Sequence, residues 1–232
     1  MNLKKLFISH CKSEGLEINT NQIKTIESIN EFYHNNFSHN FFTNLFSKKE
    51  NTPGFYLQGD VGVGKTMILN FFYNNFEQTK HRLHFNEFMI NLHDFIFQNK
   101  NNKKENTIDK FVIKLKKKYK LIYFDEFQVT NIVDAMILGN LFKKIFDENI
   151  KVIFSSNIKI NDLYKDGLQR DQFIPFIKIL KNNCSEQTLF IKEDYRKSQN
   201  KTNDQFFYPL NEKTTFKINK LFRKLTKNKI RQ

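Results

Sequence analysis

Short runs of three or four apolar residues recur along this chain, and such runs are typical of buried β-strands. The segments that carry them are residues 55–57, 121–124, 152–154 and 189–191, and residues 82–85 are a further strand candidate. Segments of helical periodicity separate these runs. We therefore predict an α/β fold, with a five-stranded parallel sheet and helices on both faces.

The helical segments differ in how strongly their apolar positions repeat. The periodicity predicts helices over 66–76, 132–146 and 173–180, and one that ends at the polar run 98–106. Ile108, Phe111, Val112 and Leu115 form an apolar stripe with lysines on the opposite face. Residues 1–50 are mostly helical in pattern, because Ile23, Ile26 and Ile29 recur at helical spacing.

Breaks in the pattern divide the chain into three parts. Thr52, Pro53 and Gly54 interrupt the first helical region, and the periodicity weakens after Arg196. We predict an N-terminal helical segment over 1–50, an α/β core over 51–196, and a basic tail or partial helical lid over 197–232.

The net charge of +14 comes from two segments. Residues 100–120 and 201–232 each hold nine basic and two acidic residues, and the rest of the chain is neutral. Such clusters attract nucleic acid or acidic partners, but they also occur as a solvated helix face and a loose tail. The lysine-rich, alanine-poor composition is typical of an AT-rich genome, so both interpretations stay open.

Nothing in the sequence predicts export or a membrane span. No run approaches the roughly eighteen apolar residues that cross a bilayer. The apolar stretch at the start is too short for a secretory signal, and Glu14 and Glu17 are untypical of a transit peptide. Two distant cysteines, Cys11 and Cys184, indicate a reducing compartment. We expect a soluble bacterial cytoplasmic protein.

A glycine-rich loop follows the first predicted strand and precedes a helix. It matches the pattern G-x-x-x-x-G-K-[ST], for which this composition gives about 0.003 chance matches. Its residues are Gly59, Asp60, Val61, Gly62, Val63, Gly64, Lys65 and Thr66. Loop N–H groups and the helix N-terminus favour phosphates, Lys65 is expected on the β- and γ-phosphates, and Thr66 on Mg²⁺. We predict an ATP–Mg²⁺ site.

Two acidic residues follow the third apolar run. Asp125 and Glu126 stand at the carboxyl end of the predicted strand 121–124, where open α/β sheets bind ligands. Asp125 is expected to hold the magnesium hydration shell, and Glu126 to polarise an attacking water. Adjacent acids after a strand and a phosphate loop favour hydrolysis over a simple helix cap.

Asn157 and a few arginines complete the candidate site. Asn157 follows the fourth run and is placed to contact the γ-phosphate or the water. Arginine is rare in this lysine-rich chain, so Arg170, Arg196 and, less strongly, Arg82 suggest a need for guanidinium geometry. Arg170 is the candidate for stabilising charge on the transferred phosphoryl group.

With these motifs in order, the chain resembles the ZapE family of AAA+ ATPases over roughly residues 15–200. The strings that carry the resemblance are GFYLQGDVGVGKTMILNFFY, RLHFNEFM, YFDEFQVTNIVDAMILGNLF, SSNIKINDLYKDGLQRDQFIPFI and EDYR. The chain departs from the family pattern at Asn131, where aspartate is usual, and at Ile158, where arginine is usual. Family members also continue further, so we expect a rudimentary C-terminal lid.

The resemblance implies an ATP-driven homo-oligomeric ring, a hexamer in related proteins. It implies that Asn157 is the sensor residue, and that Arg170 acts as an arginine finger across a subunit boundary. It also implies a protein partner, and for the bacterial members a link to the division ring built on the tubulin-like protein FtsZ.

The sequence is compatible with three functions. The favoured one is an AAA+ ATPase that remodels a protein partner. The alternatives are a nucleic-acid-dependent protein of the helicase-loader kind, and a nucleotide-binding scaffold without turnover. A metal site at His81, His84 and His93 is not expected, because their spacing matches no zinc motif.

Overall fold

The computed structural model describes residues 2–37, 52–99 and 107–190, together with residues 214, 215, 218 and 219. The chain divides into two units, Met1–Asp194 and Tyr195–Gln232. The larger unit holds the predicted core. In the smaller unit, residues 214–215 and 218–219 are helical. The rest of the predicted tail or lid, Arg196 and residues 38–50 lie outside the described residues.

Helices and strands alternate through the larger unit, as the apolar pattern predicts. In chain order they are α1 (Leu3–Ser13), α2 (Thr20–Phe37), β1 (Gly54–Gln58), α3 (Lys65–Asn75), β2 (Lys80–His84), α4 (Phe85–Gln98), α5 (Thr107–Lys118), β3 (Leu121–Asp125), α6 (Ile132–Asp147), β4 (Lys151–Ser156), a short 3₁₀ turn (Ile160–Asp162), α7 (Arg170–Asn183) and β5 (Cys184–Thr188).

The five strands form one parallel sheet in the spatial order β2-β3-β4-β1-β5. Side chains alternate between its two faces. On one face, Tyr56, Phe124 and Phe154 pack against α4, α5, α6 and α7. On the other face, Phe55, Tyr123 and Ile153 pack against α1, α2 and α3. The predicted parallel sheet with helices on both faces is confirmed.

The fifth strand lies earlier in the chain than predicted. The apolar run 189–191 suggested it, but the strand is Cys184–Thr188, and Leu189 follows its end. β5 is an edge strand that pairs only with β1, so it is not buried on both sides. Its residues therefore include Glu186 and Thr188, both exposed, and show no continuous apolar run. The second strand is also offset, since Phe85 begins α4.

Among the described residues, no helix combines the length and the apolar character that a bilayer crossing requires.

Candidate active site

The carboxyl ends of β1, β3 and β4 meet at one edge of the sheet. β4 lies between β1 and β3, so the residues after it stand between the glycine-rich loop and the acidic pair. Backbone hydrogen bonds tie these ends together. Gly59 N–H donates to the carbonyl of Ser156 at 3.2 Å, and Phe127 N–H donates to that of Ser155 at 2.7 Å.

The glycine-rich loop has the backbone that a phosphate-binding nest needs. Gly62 and Gly64 have φ angles of 88° and 92°, a left-handed region that side chains strongly disfavour. Gly64 caps the N-terminus of α3, which begins at Lys65. The N–H groups of the first helical turn and the positive end of the helix dipole therefore lie at the loop.

Lys65, near the end of this loop, has a buried side chain. Its Nζ donates to the carbonyls of Gly59 and Asp60, each at 2.8 Å, and to Oδ1 of Asn157 at 2.7 Å. A buried ammonium is costly unless oxygen atoms surround it, and these three contacts supply them. The two residues predicted from separate motifs, Lys65 and Asn157, are thus in direct contact.

A small hydrogen-bond network holds the segment around Asn157. The Ser156 hydroxyl donates to the Phe127 carbonyl at 2.7 Å and accepts from Ile158 N–H at 3.1 Å. The hydroxyl of the buried Tyr56 donates to the Ile158 carbonyl at 2.8 Å. Sequence reasoning did not identify Ser156 or Tyr56, since a serine and a tyrosine within apolar strands carry no motif signal.

Asp125 is buried at the end of β3 and accepts several hydrogen bonds. Arg82, on the neighbouring strand β2, forms an ion pair and hydrogen bond with Asp125 Oδ2. Tyr123 hydroxyl and Glu126 N–H donate to Oδ1 at 3.3 and 3.2 Å. Arg82, flagged only by its rarity in the sequence, is therefore part of the site.

Two groups that contact Asp125 have shifted pKa values. Partial burial lowers the pKa of Arg82, but the hydrogen bond and charge of Asp125 outweigh it, so the pKa is raised overall. Burial, and then the charge of Asp125, raise the pKa of Tyr123. Arg82 is thus held as a cation and Tyr123 as a neutral hydroxyl donor beside the carboxylate.

Glu126 differs from Asp125 in its exposure. Its side chain is 78% exposed, and Oε2 lies 3.9 Å from Nδ1 of His84. Its φ angle is 52°, in the left-handed region where a non-glycine residue stores strain. With this conformation the chain bends away from the direction of β3 immediately after Asp125. The two acids therefore have different environments, one buried and paired and one facing solvent.

Arg170, the first residue of α7, binds carbonyl oxygens of its own chain. Nη1 donates to Leu163 and Nη2 to Asn161, both at 2.7 Å. These bonds join α7 to the segment that follows β4, and the guanidinium is only partly buried. Its contacts assign it a structural role within the chain, and its action on a neighbouring subunit stays a prediction.

Oxygen donors are available for Mg²⁺ at this edge of the sheet. Thr66, exposed in the first turn of α3, carries a hydroxyl, and Asp125, at the end of β3, carries a carboxylate. Such hard oxygen ligands are the type that Mg²⁺ prefers, commonly with waters and phosphates completing the shell. The described residues contain no group of three or more His, Cys, Asp or Glu side chains arranged to hold a metal ion.

The departures from the family pattern are accommodated locally. Asn131 caps α6, because its side-chain oxygen accepts from Val133 N–H at 2.9 Å. Asparagine and aspartate are comparably good caps, so this exchange preserves the helix start. Ile158 packs its side chain against the apolar cluster on the α4–α7 face of the sheet.

A parallel sheet in this order, a glycine-rich phosphate loop after β1 and an acidic pair after β3 define a P-loop NTPase of the AAA+ type. A family model described as AFG1-like ATPase matches residues 4–232. The chain belongs to this family of ATPases.

Two relatives with similar sequences support the same family assignment. Lactation elevated protein 1 homolog B of Danio rerio is 38% identical over 172 residues, which are 70% of this chain and 34% of that protein. Cell division protein ZapE of Escherichia coli (strain K12) is 34% identical over 186 residues, 77% of this chain and 48% of that protein. The chain thus spans about a third to a half of the length of these relatives.

A solved structure shows a similar fold. The DnaC helicase loader superposes with a TM-score of 0.50 and 14% sequence identity, covering 75% of this chain and 92% of that chain. At this identity the likeness concerns the fold alone.

Proposed function

We propose that this chain binds ATP with Mg²⁺ at the glycine-rich loop and hydrolyses it. The observation that carries the proposal is the contact between Lys65 Nζ and Asn157 Oδ1 at 2.7 Å. It joins the phosphate-binding lysine to a polar residue at the end of the adjacent strand. Family membership supports the same chemistry.

Each site residue has a distinct role in this proposal. Loop N–H groups from Gly59 to Thr66 and the Lys65 ammonium bind the phosphates. The Thr66 hydroxyl would ligate Mg²⁺, Asp125 would hold the ion's hydration shell, and the ion would neutralise phosphate charge. Exposed Glu126 orients and polarises the attacking water, and Asn157 contacts the water or the γ-phosphate.

Steady-state phosphate release from ATP tests the proposal, with variants at two positions. Glu126→Gln keeps the shape but removes the carboxylate, so we expect turnover to fall by about 10²–10⁴-fold while ATP still binds. Lys65→Ala removes the phosphate contact, so we expect loss of ATP binding itself.

Nucleotide binding by both variants is measured by equilibrium titration alongside turnover. Tight ATP binding with no phosphate release by the wild-type chain would instead support a scaffold without turnover. Equal turnover in the wild type and in Glu126→Gln, with none in Lys65→Ala, would contradict the assignment of Glu126.

We further propose that hydrolysis drives the remodelling of a protein partner by a homo-oligomeric ring in the bacterial cytoplasm. One relative is named a cell division protein, which supports a partner in the FtsZ-type division machinery. Co-sedimentation of the Glu126→Gln variant with FtsZ polymers in the presence of ATP checks this partner. Absence of co-sedimentation at micromolar concentrations would remove it.

A second candidate function is nucleic-acid binding, and helix α5 is the observation that favours it. Lys114, Lys117 and Lys118 are exposed on this helix, whereas Lys116 is paired with Glu148 at 2.8 Å. A basic helix face of this kind attracts phosphate backbones.

This alternative predicts that the chain shifts a labelled single-stranded oligonucleotide at low salt, with affinity falling steeply as salt rises. Replacing Lys114, Lys117 and Lys118 by glutamine should abolish the shift without affecting ATP binding. No shift at 50 mM salt would eliminate the nucleic-acid hypothesis.

A further inference from the structure

A buried glutamine lies beside the phosphate loop. Gln22, near the start of α2, is 1% exposed, and its Nε2 donates to the carbonyl of Val63 at 3.4 Å. A Cβ atom placed on Gly64 would approach the same Nε2 to 2.8 Å. The absence of a side chain at Gly64 is therefore what allows the amide to reach the loop.

The orientation of this amide follows from its partner. A backbone carbonyl can only accept a hydrogen bond, so the atom that faces Val63 is the nitrogen. The oxygen, Oε1, is the other end of the amide. It is buried and has no hydrogen-bond partner among the described residues. Buried acceptors are nearly always satisfied, so an unpartnered one beside a ligand-binding loop points to a donor supplied by the ligand.

The end of β5 lies next to this position. The Asn21 side chain donates from Nδ2 to the Phe190 carbonyl at 2.7 Å, which ties the start of α2 to the segment after β5. A Cβ on Gly59 would overlap the Leu189 carbonyl, so this segment also touches the loop. Phe190 itself is 56% exposed. Gln22 and the segment that includes Phe190 thus flank the same loop.

We propose that Gln22 selects the base of the bound nucleotide, an inference that rests on the proposed nucleotide binding. Its Oε1 accepts a hydrogen bond from the 6-amino group of adenine, while Nε2 stays on Val63. The exposed ring of Phe190 offers a surface on which the base packs. A 6-oxo purine presents an oxygen at the same place, so two acceptors would face each other and that nucleotide is disfavoured.

The test compares the affinities of the full chain for ATP and for inosine triphosphate, which carries a 6-oxo group and no amine. We expect the wild type to bind ATP at least about tenfold more tightly, because a site built to hydrogen-bond one group rejects an analogue that lacks it. Gln22→Leu has similar volume but no acceptor, so we expect the two affinities to become equal within about twofold.

Asn30→Leu is the matched control. Asn30 lies in the same helix, and its side-chain oxygen is also buried without a partner. This variant should keep the wild-type preference for ATP. Circular dichroism and the unfolding temperature of both variants establish that they fold.

Three results would overturn the inference. Equal binding of both nucleotides by the wild type would show that the base is not selected through its 6-position. Equal weakening of both nucleotides in Gln22→Leu would show that Gln22 only supports the Val63 backbone. Failure of the wild type to bind either nucleotide would overturn the proposed nucleotide binding as well, and so differs from the first two results.

Discussion

At the scale of single residues, several polar groups at the site edge are hydrogen-bonded to one another. Lys65 has three oxygen acceptors, and the Ser156 hydroxyl both donates and accepts. Asp125 is paired with Arg82. Satisfied networks of this kind hold side chains in one arrangement, because breaking any bond leaves a buried group unpaired. The site is therefore organised by its own residues.

The two buried cysteines give a prediction at this scale. Both thiols are free, and burial raises the pKa of Cys11 and of Cys184, the latter with a further contribution from the charge of Glu186. A raised pKa means that the folded chain holds the proton more tightly than the unfolded chain. This contribution to stability is full below the thiol's ordinary pKa of 9.0 and is lost as pH rises through the folded value.

Since the thiolate is the reactive form, we expect the native chain to be alkylated by iodoacetamide at pH 8 at least about tenfold more slowly than the urea-unfolded chain. Mass spectrometry of quenched samples gives both rates. Native labelling as fast as in urea would contradict the burial of the two cysteines.

At the scale of elements, β1 and β5 approach each other closely at their starts. Gly54 is paired with Cys184 across the sheet. A Cβ at Gly54 would overlap Cys184 Sγ and lie 3.0 Å from the Asn183 carbonyl. The central helix α6 has a contrasting glycine, Gly139, with nothing within 4 Å of an added Cβ.

Alanine substitutions at these two glycines are expected to change the free energy of unfolding in opposite directions. Gly54→Ala should lower the free energy of unfolding by about 1–3 kcal/mol, because the extra methyl overpacks the strand contact. Gly139→Ala should raise it by about 0.5–1 kcal/mol, because alanine reduces the entropy lost when the helix forms. Urea denaturation measures both, with the midpoint shifting at constant slope. Shifts of the same sign would refute the packing argument.

At the scale of the whole molecule, the proposed homo-oligomer predicts that Arg170 of one subunit acts at the site of its neighbour. The phosphate loop, the acidic pair and Asn157 all lie in the larger unit, and so does Arg170. The Arg170 guanidinium binds the carbonyls of Leu163 and Asn161 of its own chain. An arginine that acts across a boundary must present its remaining N–H donors to a neighbour.

We expect Arg170→Ala subunits to lose ATP turnover alone and to regain part of it when mixed with Glu126→Gln subunits. In such mixtures some boundaries join an intact Glu126 to an intact Arg170. Phosphate release at several mixing ratios measures the recovery. Arg170→Lys, which keeps the charge but not the fork of donors, is the control. Mixtures that stay inactive would confine Arg170 to its structural contacts.

The sequence predicted most of the sheet because the inner strands carry apolar runs. β1, β3 and β4 are fully buried, and they were identified from 55–57, 121–124 and 152–154. β5 was misplaced since an edge strand needs no such run. Lys65 was found from the spacing of the glycine-rich loop. Asp125, Glu126 and Asn157 were found because polar residues at the end of an apolar run stand out.

The sequence by itself therefore determined the element types, the phosphate loop and the acidic pair, all of which depend on neighbours within a few positions. Only the tertiary structure decided the strand order, which inserts β4 between β1 and β3 and brings Asn157 to Lys65. It also decided the pairing of Arg82 with Asp125 and the approach of Gln22 to Val63. These contacts join residues some forty to ninety positions apart, and local periodicity carries no information about which distant segments pack together.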